Sequence, residues 1–141
     1  MDIAHCHLDG NADAVEFCPH ESFHNVLAAC TYTLQEGDQP SRTGSISLFD
    51  VDAESSRLNL TQRVQTAGIF DIKWSPVGGN VGPSLAQADA NGYVRVHRLK
   101  SCLDGSDIPG MFESPFVLYV IIVNIDKCCV LEKTNLIFFT I

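Results

Sequence analysis

The strongest constraint on this chain is a strand that occurs twice. DAVEFCP, residues 13–19, and GIFDIKWSP, residues 68–76, both alternate between apolar and polar positions, and both stop at a proline. Such alternation predicts a half-buried β-strand, because successive side chains leave a strand on opposite faces. Proline closes it because it has no N–H to give to a ladder. Aligned on Pro19 and Pro76, the two segments match Phe17 to Trp74.

The segments downstream of the two copies also match. After the polar turn HESFHN, VLAACTYTL at residues 26–34 is a nearly continuous apolar run, as expected of a strand buried on both faces. QEGDQPSRTG, residues 35–44, has loop chemistry. GSISLFDVD, residues 44–52, alternates again, with Ile46 and Leu48 on one face. SRLNLTQRVQT, residues 56–66, carries Leu58, Leu60 and Val64 and reads as a further, more exposed strand. In the second copy, SLAQADANG at residues 84–92 parallels VLAACTYTL, with Leu85-Ala86 matching Leu27-Ala28. GYVRVHRL at residues 92–99 parallels GSISLFDV, with Gly92 matching Gly44, Val94 matching Ile46 and Val96 matching Leu48. The extra length of the first copy falls in the loop before Gly44, where an insertion costs little. ADANG, residues 88–92, suits a tight hairpin because Asn-Gly accepts positive φ.

A unit of four successive strands that repeats in this way predicts the blades of a β-propeller. The small residues Ala28, Ala29, Ala86 and Ala88 in the second strands fit a crowded position near a central channel. The expected division is an N-terminal segment 1–12, a first blade 13–66, a partial second blade 67–100 and a divergent apolar tail 101–141.

Charge narrows the partners. The net charge is −8 and the nine Lys and Arg residues are scattered, which argues against nucleic acid, since phosphate binding needs clustered cations. Arg95, Arg98 and Lys100 form the closest basic group and read as a solvated strand end. The opening MDIAHCHLDG lacks the basic and then apolar regions of a secretory signal, so the expected compartment is the cytosol or nucleus, with the six cysteines reduced. Such thiols act as small buried hydrophobes. FVLYVIIV, residues 116–123, is far shorter than the roughly 18–20 apolar residues of a membrane helix, and no membrane partner is expected.

Candidate chemistry is sparse. His5-Cys6-His7 with His20 and His24 would need to converge as four ligands to hold a metal; the chain has no C-x-x-C, and Cys128 and Cys129 are adjacent, so ordinary loop histidines are the expectation. No G-x-S-x-G elbow exists, the nearest pair being Gly44-Ser45-Ile46 inside a predicted strand. Cys18 lies near His20 in sequence but suits the blade core. Asp89 could act as a base, yet its place just before Asn-Gly suits a turn held by its side-chain oxygen. Phe17 and Trp74 share a register in the repeat, so blade-core packing is expected of both rather than a ligand platform. No catalytic residue is assigned, and no cofactor or metal is expected.

DAVEFCP, LAACTYTL, GSISLFDV, IFDIKWSP and LAQADANGYVRVHRL, taken in this order and spacing, resemble the amino-terminal blades of a WD-repeat family, the diphthine methyl ester hydrolases of diphthamide synthesis, long called diphthine methyltransferases. The resemblance covers roughly residues 10–100. It implies an all-β fold, a partial WD40-type β-propeller of about two blades of antiparallel four-stranded sheet. It also implies a cytoplasmic enzyme that hydrolyses the methyl ester of diphthine on translation elongation factor 2. No catalytic motif of the family falls on these residues. Neither predicted blade ends in Trp-Asp; the matching positions read Leu48-Phe49-Asp50 and Val96-His97-Arg98.

After about Lys100 the resemblance ends and the composition turns to aliphatic and aromatic blocks. Two expectations compete: a third pair of buried strands, or sequence foreign to the family, as in a truncated splice form. The second is preferred, because the tail resembles no blade. Two blades leave a ring unclosed, so the chain alone is expected to be poorly soluble and to lack esterase activity. The competing functional reading is a non-catalytic WD-type scaffold whose rim loops bind another protein.

Overall fold

The computed structural model describes residues 4–77, 82–99 and 112 in full, and the backbone of residues 116–118, 128–131 and 136–139. Among them the fold is all-β, with one 3-10 turn at Glu21–Phe23. The first sheet has the order β1-β2-β3-β4: β1 (Asn11–Phe17), β2 (Val26–Gln35), β3 (Ser41–Asp52) and β4 (Arg57–Ala67). The second has the order β5-β6-β7-β8: β5 (Ile69–Trp74), β6 (Ser84–Asp89), β7 (Val94–Arg98) and β8 (Phe116–Leu118). Every pairing is antiparallel between sequence neighbours, as blades require. β9 (Cys128–Leu131) and β10 (Leu136–Phe139) pair separately.

The strands fall on the expected segments, with two differences. β3 begins at Ser41 rather than Gly44, because Ser41, Arg42 and Thr43 extend the hairpin by pairing with Gln35, Leu34 and Thr33. The fourth strand of the second sheet comes from Phe116–Leu118, which pairs with Val94–Val96 across a long excursion. Before it, Phe112 bridges to Leu99 and is buried. The rest of the expected tail, and the choice between its two readings, lies outside the described residues.

The core lies between the two sheets. One face of the first sheet contributes Val26, Ala28, Cys30, Ile46 and Leu48; the second answers with Ile69, Ile72, Trp74 and Leu85, and Leu99 and Phe112 complete the cluster. The register explains the partition: Ala28 pairs with Leu48 and Cys30 with Ile46, so alternate residues of β2 and β3 line a single face. β5 lies against β1 and β2. Gly68 is the single residue between β4 and β5. A Cβ there would meet the Tyr32 ring at 2.6 Å, so only glycine lets the chain pass from one sheet to the next at this point.

The two sheets share a local irregularity as well as an order. The β1–β2 register shifts between Ala12 and Ala14, and the β5–β6 register shifts between Ile69 and Asp71. Aligned on Phe17 and Trp74, Asp13 and Phe70 are the matching extra residues. A bulge at the same place in both inner strands strengthens the twist of each, which suits blades set side by side.

Candidate functional site

The seam between the sheets is where polar side chains gather. On β1, Glu16 faces the second sheet, because its neighbours Val15 and Phe17 take the other face. Its carboxylate accepts the Trp74 backbone N–H at 2.9 Å and the Lys73 Nζ at 2.5 Å. The Trp74 indole N–H donates in return to the Glu16 carbonyl oxygen at 3.1 Å. Hydrogen bonding to Glu16 and its negative charge raise the Lys73 pKa above its ordinary value.

Gln87 and His97 form a second polar group at the seam, both buried. His97 Nε2–H donates to Gln87 Oε1 at 2.8 Å, and Gln87 Nε2 donates to Thr66 Oγ1 on β4 at 3.3 Å. The His97 ring lies 4.8 Å from that of Phe112, whose backbone N–H donates to Gln62 Oε1 of β4 at 2.7 Å. His97 Nδ1 is buried without a partner. Burial, aided by the Arg95 charge, lowers the His97 pKa to about 4, so the ring is neutral at pH 7.

The histidines considered for a metal do not converge. No cluster of three or more His, Cys, Asp or Glu suited to a metal forms among the described residues. His5 and His7 meet each other edge to face, with ring centroids 6.3 Å apart, and Cys6 is exposed. His24 Nδ1 donates to the Glu21 carbonyl at 2.7 Å, closing the 3-10 turn. His20 reaches across to the second sheet instead, with its Nε2 3.4 Å from Ser75 Oγ. Cys128 and Cys129 lie in β9, and their side chains are outside the described residues.

Nucleophile and base are not assembled either. The His20–Ser75 contact is long, Ser75 Oγ already accepts the Ser84 N–H at 3.1 Å, and among the described residues no carboxylate orients the histidine from behind. That pair brackets the sheets rather than activating a hydroxyl. Ser45 is fully buried, donates to Asp9 at 2.6 Å and accompanies Thr31 at 3.2 Å. Burial raises the thiol pKa of Cys18, which disfavours the thiolate. Asp89 is a turn residue, as its sequence context predicted. Its Oδ1 accepts the N–H groups of Asn91 and Tyr93 at 3.0 and 3.2 Å, and its Oδ2 accepts Arg95 Nε at 2.8 Å.

The expectation for Phe17 needs correction. Trp74 is 3% exposed and belongs to the core, whereas Phe17 is 53% exposed. Their registers do match: Trp74 pairs with Leu85 and Leu85 with His97, while Phe17 pairs with Leu27 and Leu27 with Phe49. The two residues differ because Trp74 packs into the core between the sheets, whereas Phe17 stands on the edge strand at the exposed end of a row that is buried only further in, at Phe49. Glu16, Gln62, Gln87 and His97 were not singled out from the sequence. Their signal was available in part, since Glu16 and Gln87 are polar residues within strands whose neighbours are apolar.

Two successive four-stranded antiparallel sheets, stacked through a common core and stitched at their inner strands, define a partial β-propeller of the WD40 type. Similarity to known proteins makes this specific. The chain is 33% identical to mouse diphthine methyltransferase over 108 residues, which is 67% of this chain and 22% of the mouse protein. It is 31% identical to the human diphthine methyltransferase over 108 residues, 62% of this chain and 24% of that protein. Over this shared region the chain belongs to the diphthine methyltransferase family; it spans less than a quarter of the length of either relative. No family model and no solved structure matches it.

Proposed function

We propose that this chain supplies blades of a WD-repeat protein of diphthamide biosynthesis whose complete form hydrolyses the methyl ester of diphthine on translation elongation factor 2 in the cytoplasm. Water adds to the ester carbonyl, methanol leaves, and the freed carboxylate becomes available for amidation. The observation that carries this reading is the 33% identity to mouse diphthine methyltransferase. The chain's own share is structural: it holds two blades in register, and on this reading it does not cleave the ester by itself. The net charge of −8 supports a protein partner over nucleic acid. No helix among the described residues is long and apolar enough to cross a membrane.

The test is mass spectrometry of elongation factor bearing methylated diphthine after incubation with this chain or with the mouse relative. Loss of the methyl group with the relative alone is the expected result. Loss with this chain alone would overturn its structural role, and loss with neither would overturn ester hydrolysis. A second reading, a non-catalytic scaffold, is favoured by one observation: the described residues bring no nucleophile, base and orienting carboxylate together. Retained binding to the elongation factor without demethylation by either protein would select it.

A further inference from the structure

His97 lies beneath a cover that is fastened more lightly than its walls. The residue is 2% exposed, and it is enclosed from three directions. β6 supplies Gln87, which accepts the Nε2 proton at 2.8 Å, and β4 supplies Thr66 behind Gln87 and Gln62 beside Phe112. The third is Phe112, whose ring centroid lies 4.8 Å from that of the imidazole at a tilt of 35°. The walls are held by long ladders: β6 pairs with β7 from Ser84–Arg98 to Ala88–Val94, and β4 pairs with β3 along Thr43–Asp52. The cover is held by the Leu99 bridge, the bond to Gln62 Oε1 at 2.7 Å, and the three-residue strand β8. Local opening begins where the fewest contacts hold.

We infer that Phe112 and β8 form an acid-released strap, which protonation of His97 lifts from β7 while the two sheets stay folded. Nε2–H donates to Gln87 Oε1, and Nδ1 is buried without a partner among the described residues. A proton on Nδ1 turns that atom into a donor, and a buried imidazolium N–H without an acceptor gives up its hydration for nothing. The surroundings do not neutralise the new charge. Arg95 on the same strand opposes it, and Asp89 on β6 is engaged by Arg95 Nε at 2.8 Å. Gln87, Thr66, Gln62 and Phe112 carry no charge. Relief comes when water reaches the ring, and Phe112 is the cover that gives way at least cost.

Linkage sets the size of the effect. The covered ring titrates at about 4, against an ordinary value of 6.5. The released form therefore binds a proton where the closed form does not, and the released fraction should rise about twentyfold from pH 7 to pH 5. Raising the pH back through 6.5 restores the strap.

Site-resolved hydrogen exchange of the full chain at pH 7 and pH 5, corrected for intrinsic rates, tests the inference. Leu99 N–H donates to the Pro83 carbonyl and Asp89 N–H to that of Tyr93, so by alternation the N–H groups of Val94 and Val96 face β8. These two amides should exchange about twentyfold faster at pH 5, with those of Ala29 and Ser47 in the first sheet unchanged. His97→Gln keeps a donor for Gln87 and does not titrate, so the difference between the two pH values should vanish. Phe112→Ala removes the cover but keeps the titrating group, and Val94 and Val96 should then be unprotected at pH 7 already. Equal protection of Val94 and Val96 at both pH values in the native chain would overturn the inference. Parallel loss of protection at Ala29 and Ser47 would do the same, since the whole fold would then be opening, as would an acid step that persists in His97→Gln. Tighter protection in acid would also overturn it, because a cation–π contact between the imidazolium and Phe112 would then prevail.

Discussion

Glu16 and Trp74 hold each other by hydrogen bonds that run in opposite directions. The Glu16 side chain accepts the Trp74 backbone N–H, and the Trp74 side chain donates to the Glu16 backbone carbonyl. The two inner strands are thereby clasped without sharing a ladder. Either half alone would leave one polar group at the seam without its partner, which is why the clasp makes the blades one cooperative unit.

Removing the tryptophan should therefore cost more than removing its salt-bridge neighbour. Trp74→Ala takes a large buried ring out of the core and is expected to destabilise by about 3–5 kcal/mol. Glu16→Ala removes a charge-assisted bond to a backbone N–H and should cost about 1–3 kcal/mol, with Glu16→Gln costing less because an acceptor remains. Lys73→Ala should barely register, since the lysine side chain is 58% exposed and surface pairs contribute little. Urea unfolding of the four variants checks the order. A Lys73 variant as unstable as the Glu16 variant would assign the effect to the ion pair instead.

Two glycines that align in sequence have different tasks, and their alanine variants should separate. A Cβ on Gly44 would stand 2.1 Å from the Thr31 carbonyl oxygen, which is backbone and has little room to move. Gly44→Ala must push β2 and β3 apart, an overpacking cost of about 1–3 kcal/mol or more. Gly92 has a φ of +80° and open space around its Cα, so Gly92→Ala meets only backbone strain, about 1–2 kcal/mol. Gly92→Asn should recover part of that loss and Gly44→Asn none. Thermal melts of the four proteins provide the comparison.

The strand pattern was legible because its signals are local: β1 and β5 come from period-two alternation, β2 from a continuous apolar run, and β6 and β7 from their match to the first copy. The beginning of β3 was not, because Ser41 and Arg42 extend a solvent-facing hairpin and have the composition of a loop. The fourth strand of the second sheet was not legible for another reason. Its pairing with Val94–Val96 is non-local, and no local period marks which later segment fills an edge. Phe17 exposes the limit of arguing from a repeat. The repeat gave its register correctly, but burial depends on what packs over each position: Phe49 in the same row is buried, and Phe17 at its edge-strand end is not. The polar residues of the seam were hidden because Gln87 and His97 look like solvent-facing positions until Thr66 and Phe112 are brought over them.

His97 should make the fold sensitive to mild acid. Its pKa falls from 6.5 to about 4 in the folded chain, because burial and Arg95 oppose protonation. The unfolded chain then binds a proton at a pH where the folded chain does not. Stability is complete above pH 6.5 and declines as pH falls from 6.5 toward 4. The Asp9 carboxylate, held below its ordinary value mainly by Ser45, loses its contribution at lower pH, below 3.8. His97→Phe should flatten the slope between 6.5 and 4 while lowering stability at pH 7, because Gln87 Oε1 loses its donor. An unchanged slope in the variant would place the acid sensitivity elsewhere.

The cysteines predict the opposite limb. Cys30 is fully buried, and desolvation raises its thiol to about 11 from 9.0. The neutral thiol is the form the core accepts, so its contribution is intact below pH 9 and is lost as pH rises from 9.0 toward 11, where the unfolded chain ionises first. The loss across that window is about 3 kcal/mol, at 1.36 kcal/mol for each pKa unit. Cys30→Ala should remove the alkaline slope and leave a small cavity, and Cys6→Ala should do neither, since Cys6 is exposed. Thiol labelling gives a second measure at neutral pH. Cys6 should react at once with a water-soluble disulfide reagent, and Cys18 and Cys30 only as the two sheets separate. Prompt labelling of Cys30 in the folded chain would mean that the seam between the blades opens without unfolding.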